Sequence, residues 1–385
     1  MKLATLLIHN GHETDGATGA LGTPVYQTST FDRGPDFRGD GTAPAGRLEY
    51  DYARSGNPTR KALEDAVALL EGGDGGYAFS SGVAAIASVL GIFQAGDHVI
   101  TAEDIYGGSY RLLNTWFKRW ALQHTALGRV SPETVRAAIR PETKALFIET
   151  PSNPLLKITD IRASCAAARE AGLITIVDNT FMTPLLQRPL EAGADIVVHS
   201  ATKFLGGHSD VLAGIAVTKT RELGKRVYAV QNTFGAVLGP WDSFLVARGI
   251  KTLKVRVETQ QATASRLADA LSRHRNVETV YYPGLPGHTG AELHAAQAEG
   301  PGAVLSFKTR TTEQAFAFLG RTRLAAPAVS LGGVETIASY PVRMSHAAIP
   351  PAERDRLGIS GTLIRISAGL EDADDLIEDF YAALS

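Results

Sequence analysis

The sequence predicts an α/β protein: a large domain on a mostly parallel, doubly wound sheet, then a smaller C-terminal α/β domain. Three observations carry the prediction. Short apolar runs alternate with helical periodicity through the first half of the chain. The polar clusters sit where those runs end, as functional groups do in open parallel sheets. At 385 residues the chain also exceeds one simple core, so two domains are expected.

Residues 1–55 read as an N-terminal arm. Leu21–Phe31 is extended in character, and Asp32–Gly46, rich in Gly, Pro and Asp, reads as a loop able to act as a lid. The large domain is expected over 56–245. It opens with a helix for which Asn57 is a suitable N-cap and Pro58 a suitable first-turn residue. Leu63, Val67 and Leu70 share one face of that helix, and Gly72-Gly73 stops it. Tyr52 and Arg54, just ahead of the cap, place a phenol and a guanidinium where an anion can meet them.

A strand at Tyr77–Phe79 runs into Ser80-Ser81-Gly82-Val83 and an apolar helix to Phe93. Such a turn leaves backbone N–H groups at a positive helix end, which suits a phosphate. There is no G-x-G-x-x-G and no Walker-type G-K-[ST], so a dinucleotide or nucleoside triphosphate is unsupported. The strand–helix rhythm continues. His98–Thr101 leads to Asp104-Ile105-Tyr106-Gly107-Gly108, and Arg111–Trp120 is helical. Ala145–Ile148 ends in Glu149-Thr150-Pro151-Ser152-Asn153-Pro154, and Ile161–Ala171 is a helix. Ile174–Val177 ends in Asp178-Asn179-Thr180. Ile196–Val198 leads to Ser200, Thr202 and Lys203.

The smaller domain is expected over 246–385. A long helical stretch, Trp241–Arg273, leads into it. Strands follow near Val277–Tyr282, Ala303–Lys308 and Leu363–Ser367, and the last helix is Ala373–Leu384. Arg365, among the branched residues of the last strand, either faces solvent or acts as a carboxylate fork.

Composition narrows the function classes. A net charge of −2 gives no basic field for nucleic acid or an acidic membrane. The single Cys165 excludes an intramolecular disulfide, and its Ala-rich helical setting reads as inert. No histidine has metal-ligand spacing with a partner, so no metal is expected. The N-terminus lacks a basic region followed by an apolar run, and a cytoplasmic protein is expected.

Alone, Lys203 after a buried strand reads as a snorkelling side chain. A phosphate-binding turn, further hydroxyls, a buried carboxylate and an arginine fork change that reading, because pyridoxal 5′-phosphate asks for this set. Its aldehyde needs a lysine, here Lys203, and its ring nitrogen an Asp, here Asp178. The motifs quoted above, with Tyr52–Thr59, Ser330-Leu331-Gly332-Gly333 and Arg365-Ile366-Ser367, resemble the trans-sulfuration, or Cys/Met-metabolism, family of fold-type I pyridoxal-phosphate enzymes across nearly the whole chain.

The resemblance implies Lys203 as the catalytic lysine and proton shuttle, Asp178 on the ring nitrogen and Tyr106 stacked on the ring. It puts the phosphate on Gly82, Val83, Ser200 and Thr202, with Tyr52 and Arg54 arriving from a neighbouring subunit. A homodimer is therefore implied, and a homotetramer is usual in the family. Arg365, Ser330 and Asn153 would hold the substrate carboxylate. Val329 stands where synthases and γ-lyases of the family typically have Glu. The leading expectation is C–S elimination from cystathionine or a related sulfur amino acid. γ-Replacement on an acylated homoserine and methionine γ-elimination follow it. A serine hydrolase on Ser200-Ala201-Thr202-Lys203 lacks the K-T-G and S-D-N partners such chemistry needs.

Overall fold

The computed structural model describes residues 1–9, 14–16, 18–32 and 50–385. Positions 33–46 of the expected lid loop lie outside the described residues. The first sheet contains β1 (Gly75–Phe79), β2 (His98–Ala102), β3 (Gln123–Leu127), β4 (Thr143–Glu149), β5 (Ile174–Asp178), β6 (Ile196–His199) and β7 (Gly214–Thr218), in the spatial order β1-β7-β6-β5-β4-β2-β3. The pairs from β6 through β5, β4 and β2 to β3 are parallel, and β7 runs antiparallel to both its neighbours. The mostly parallel sheet is thus present, with two strands that the sequence reading did not place. β3 is a half-polar edge strand, Gln-His-Thr-Ala-Leu, whose pattern carries little periodic signal. β7 is apolar and fully buried, but lies between the Gly206-Gly207 turn and a helix.

Successive residues of the central strands alternate between two cores. Ile176, Ile196, Val198 and Ala216 enter one, while Val177, Val197, Ile215 and Val217 enter the other. Both faces are therefore covered, as a parallel sheet requires. The helix Pro58–Glu71 starts as expected: Asn57 Oδ1 accepts from the N–H of Thr59 and Arg60, and Gly72 closes the helix at φ 77°. Its Leu63, Val67 and Leu70 are buried. A short helix, Leu3–His9, precedes it in the arm and buries Leu7.

The second sheet has the order β10-β11-β12-β9-β8, where β8 is Val277–Tyr281, β9 Val304–Thr309, β10 Ala326–Pro327, β11 Ile337–Ser339 and β12 Leu363–Ser367. The long helical stretch before it divides at Thr252 into Pro240–Lys251 and Leu253–Ser272. The second of these helices joins the two cores. Leu253 and Val257 pack in the core of the first sheet, and Ala264, Leu267, Ala268 and Leu271 in that of the second. Among the described residues, no helix is long and apolar enough to cross a membrane.

Candidate active site

The parallel strands deliver their last residues to one edge. Glu149 ends β4 and Asp178 ends β5, and the two are direct partners in the parallel register. Two carboxyls thus stand abreast, both buried. Burial, and then Asp178, pushes the Glu149 carboxyl well above the usual carboxylate range. Burial also pushes Asp178 up, but the N–H and hydroxyl of Thr180 donate to its Oδ1 at 3.0 and 2.5 Å, and His199 adds an opposing charge. The hydrogen bonds and the imidazole favour the ionised form, so of the pair Asp178 is the better-supported anion. Behind it, His199 Nε2 lies 2.6 Å from Glu71 Oε1, and Asn179 Nδ2 donates to the same oxygen at 2.9 Å.

Beyond β6 the chain turns sharply through Ser200–Gly206, where the Lys203 N–H donates to Ser200 O at 3.1 Å. This turn aims Lys203 into a cavity of about 520 Å³, a volume fit for a cofactor with a small substrate. Lys203 Nζ donates to Ser330 Oγ at 2.6 Å. Burial, and then the Arg365 guanidinium, pulls the Lys203 amine down to about 8. A substantial neutral fraction at neutral pH makes it a competent nucleophile and base. Ser330 itself has φ 86°, a left-handed conformation that costs a serine about 1–3 kcal/mol. Two bonds hold it there, Lys203 on its hydroxyl and Arg365 on its carbonyl, and Ser367 Oγ fixes the turn by accepting from the N–H of Gly332.

Arg365 is buried inside β12 and does not face solvent. Its Nη1 donates to Asn153 Oδ1 at 2.9 Å, and Nη2 to Ser330 O at 2.7 Å and Ser339 Oγ at 3.1 Å. Nε is buried with no partner among the described residues, so the guanidinium keeps an N–H for a ligand. Asn153 and Ser330 here hold the arginine, so of the expected carboxylate-binding trio Arg365 carries the charge and the other two orient it.

On the far side, the helix Gly82–Leu90 begins against the Ser200 turn. Ser81 caps it, its Oγ accepting from Ala84 N at 3.1 Å. A Cβ on Gly82 would sit 2.7 Å from Ser200 Cβ, so only glycine allows this approach. Gly82, Val83, Ser200 and Thr202 all line the cavity, with Gly82 directly against Ser200. Thr202 Oγ1 is anchored by the backbone of Ala213, accepting from its N–H at 3.0 Å and donating to its carbonyl at 3.2 Å. Tyr106 N donates to Glu149 Oε2 at 2.7 Å. The Tyr106 ring packs so close to Gly108 that a Cβ there would lie 2.4 Å away.

Eleven of the thirteen expected residues line this one cavity: Lys203, Asp178, Tyr106, Gly82, Val83, Ser200, Thr202, Arg365, Ser330, Asn153 and Val329. Tyr52 and Arg54 do not. Arg54 instead donates to Asn232 O at 2.6 Å, and its guanidinium lies 5.7 Å from the Tyr52 ring. Sequence reasoning assigned no role to Glu149, Thr180, Arg111 or Ser345, which also line the cavity. Glu149 and Thr180 were legible in principle, being polar residues at strand ends. Arg111 and Ser345 come from segments far apart in sequence and carry no local signal.

The residue set fits pyridoxal 5′-phosphate: an amine that burial lowers to about 8, a buried carboxyl at Asp178 that accepts from Thr180, and a helix start at Gly82 packed against Ser200. Comparison with known proteins agrees. Residues 4–385 match the family described as Cys/Met metabolism PLP-dependent enzyme. The chain is 51% identical over 382 residues to a cystathionine β-lyase of Bacillus subtilis, covering 99% of this chain and 96% of that protein. It is 50% identical over 384 residues to a cystathionine γ-lyase of the same organism, covering 100% and 99%. A crystal structure of cystathionine γ-lyase from Lactobacillus plantarum complexed with L-serine superposes with a TM-score of 0.94 at 42% identity, covering 100% of this chain and 99% of that one. A cystathionine γ-synthase from Xanthomonas oryzae pv. oryzae, in complex with aminoacrylate and cysteine, gives 0.94 at 41%, covering 100% and 98%. The fold-type I arrangement expected from the sequence is therefore present. The chain belongs to the Cys/Met metabolism family of pyridoxal-phosphate-dependent enzymes and is a carbon–sulfur lyase of that family.

Proposed function

We propose that the chain eliminates the sulfur substituent of cystathionine and, with the uptake of one water, releases a thiol amino acid, ammonia and a 2-keto acid. The observation that carries this reading is the pair of guanidiniums, Arg365 and Arg111, on one cavity with Lys203. Cystathionine presents a carboxylate at each end, and two arginines on one cavity suit such a diacid. The names of the relatives support the same substrate.

Pyridoxal phosphate, when bound, supplies the electron sink that makes the substrate Cα–H acidic. Asp178 would face its ring nitrogen, Gly82, Val83, Ser200 and Thr202 its phosphate, and Tyr106 a face of its ring. Arg365, aligned by Asn153 and Ser330, fixes the proximal carboxylate and so the direction of the Cα–H bond. Lys203 takes the Cα proton and returns a proton to the departing sulfur. Its neutral fraction serves the first task and its protonated fraction the second. Ser330 Oγ, 2.6 Å from Nζ, steadies the amine between the two positions.

Tyr52 and Arg54 contribute from a second copy of the chain, which would bring them to the phosphate end. The functional unit is then a dimer, and a tetramer follows the family's habit. Val329 and Leu212 give the cavity mouth an apolar lining, which supports methionine as a second substrate.

The test is to incubate the holoenzyme with cystathionine, with methionine, and with O-acyl-homoserine plus cysteine, assaying keto acid and thioether. Keto acid from cystathionine is the expected result. Pyruvate with homocysteine marks cleavage at the β-carbon, and 2-oxobutanoate with cysteine cleavage at the γ-carbon. Thioether accumulation without keto acid contradicts the proposal.

A further inference from the structure

A strap following β11 brings Met344 and Ser345 to the cavity wall. It is tightly seated: a Cβ on Gly107 would lie 2.1 Å from Ser345 O. The next residue, His346, is fully buried. Its Nδ1 lies 2.8 Å from Ser345 Oγ and its Nε2 3.1 Å from the backbone oxygen of Asn153.

These two contacts fix where the hydrogens are. A carbonyl oxygen can only accept, so Nε2 carries a hydrogen. Burial, then Arg365 and more weakly Arg354, hold the imidazole down to about 4, and the ring is neutral at physiological pH. Nδ1 is then a bare acceptor, and the Ser345 hydroxyl donates its only proton to it. What Ser345 offers the cavity is lone pairs alone. A serine with a free rotor could serve a carboxylate or an ammonium equally well, whereas one locked in this way can serve only a donor.

We propose that Ser345, locked by His346, is a specificity-determining residue that accepts a hydrogen bond from the distal ammonium of the substrate. The inference rests on the cystathionine reading. The proximal amino group of the substrate would be engaged by the cofactor's aldehyde, which leaves the distal ammonium as the donor for the protein to recognise. The assignment also divides the labour: the arginines bind the carboxylates and Ser345 the amine. Val329, apolar and on the same cavity, offers no acceptor side chain.

A Ser–His contact also invites the reading of a nucleophilic serine. Two features oppose it. His346 Nε2 is tied to a neutral carbonyl, not to a carboxylate that would stabilise an imidazolium, and two guanidiniums lie close enough to disfavour that charge.

The test compares kcat/KM of the holoenzyme for cystathionine and for analogues lacking only the distal amine: S-(3-carboxypropyl)-L-cysteine and S-(2-carboxyethyl)-L-homocysteine. The wild type is expected to prefer cystathionine by roughly 10-fold or more, as for a hydrogen bond to a charged group. Ser345→Ala should remove most of that preference through KM for cystathionine, leaving the analogue and the visible spectrum of the bound cofactor unchanged. Ser345→Thr, which keeps the hydroxyl, should retain the preference. His346→Gln should weaken it although Ser345 remains. Equal losses on both substrates in Ser345→Ala, or a wild type indifferent to the distal amine, would overturn the proposal while leaving the lyase reading standing. Failure of the wild type to cleave cystathionine at all would overturn both.

Discussion

The floor and the mouth of the cavity are built on different principles. The floor is made by strand ends. Glu149, Asp178 and the Ser200 turn follow adjacent parallel strands, so the sheet register itself sets their spacing. They are backed by the buried Glu71–His199 pair and by the helix at Gly82. The mouth is made by pieces. Arg111 comes from the helix after β2, Leu212 from the loop before β7, Val329 from the turn after β10, and Ser345 from the strap after β11. Val329 and Leu212 are 64% and 67% exposed, whereas Asp178 is 8% exposed. The difference teaches where each property resides. Groups that must be held within fractions of an ångström sit on the rigid sheet, and groups that select among substrates sit on loops that can change without disturbing it.

Breaking the floor should hurt every substrate alike. Lys203→Ala is expected to lower kcat by at least ~10³-fold with cystathionine and methionine equally, read by keto-acid release. It should also abolish the borohydride-sensitive visible absorption of the holoenzyme. Glu71→Gln disturbs the buried carboxyl oxygen that both His199 and Asn179 contact and should cost about 1–3 kcal/mol in urea unfolding of the apoprotein. A cost near zero would show that the pair does not support the floor.

The lysine also allows a test by pH. Its folded value, about 8, lies below the ordinary 10.5. Between those values the unfolded chain binds more protons, so stability rises with pH across that window, and below pH 8 the buried amine is a net cost. Lys203→Met apoprotein should then be more stable than wild type at pH 7, by on the order of 2–3 kcal/mol, with the advantage shrinking towards pH 10. The rate at which wild-type apoprotein takes up pyridoxal phosphate should climb with pH and level off above about 8.

Altering the mouth should change ratios more than rates. Val329→Glu adds an acceptor at the exposed rim and is expected to raise the preference for cystathionine over methionine, by roughly 3–10-fold, with the visible spectrum unchanged. An equal loss on both substrates would place Val329 in the floor's company and weaken the distinction.

The same contrast explains what was legible in the sequence. Asp178, Lys203 and the Gly82 turn each follow an apolar run directly, so a strand-end argument finds them. Arg365 could be read either as a fork or as a solvated side chain; only its bonds to Asn153 and Ser330 decide. Glu149 gains its meaning from standing opposite Asp178, a relation fixed by β4–β5 pairing rather than by anything adjacent in sequence. β7 was missed for a related reason: a short antiparallel strand after a glycine turn breaks the strand–helix rhythm that located the others. His346, one of the histidines without metal-ligand spacing in the sequence, acquires a role only through a carbonyl 193 residues away. Tyr52 and Arg54 illustrate the opposite case, since a local motif marks them while one chain alone leaves them off the cavity.

The most direct measurement of the central claim is to reduce the holoenzyme with borohydride, digest it and locate the pyridoxyl group by mass spectrometry. A single modification on Lys203 is the predicted result. Modification of another lysine, or none under conditions in which cystathionine is cleaved, would contradict the assignment of the floor.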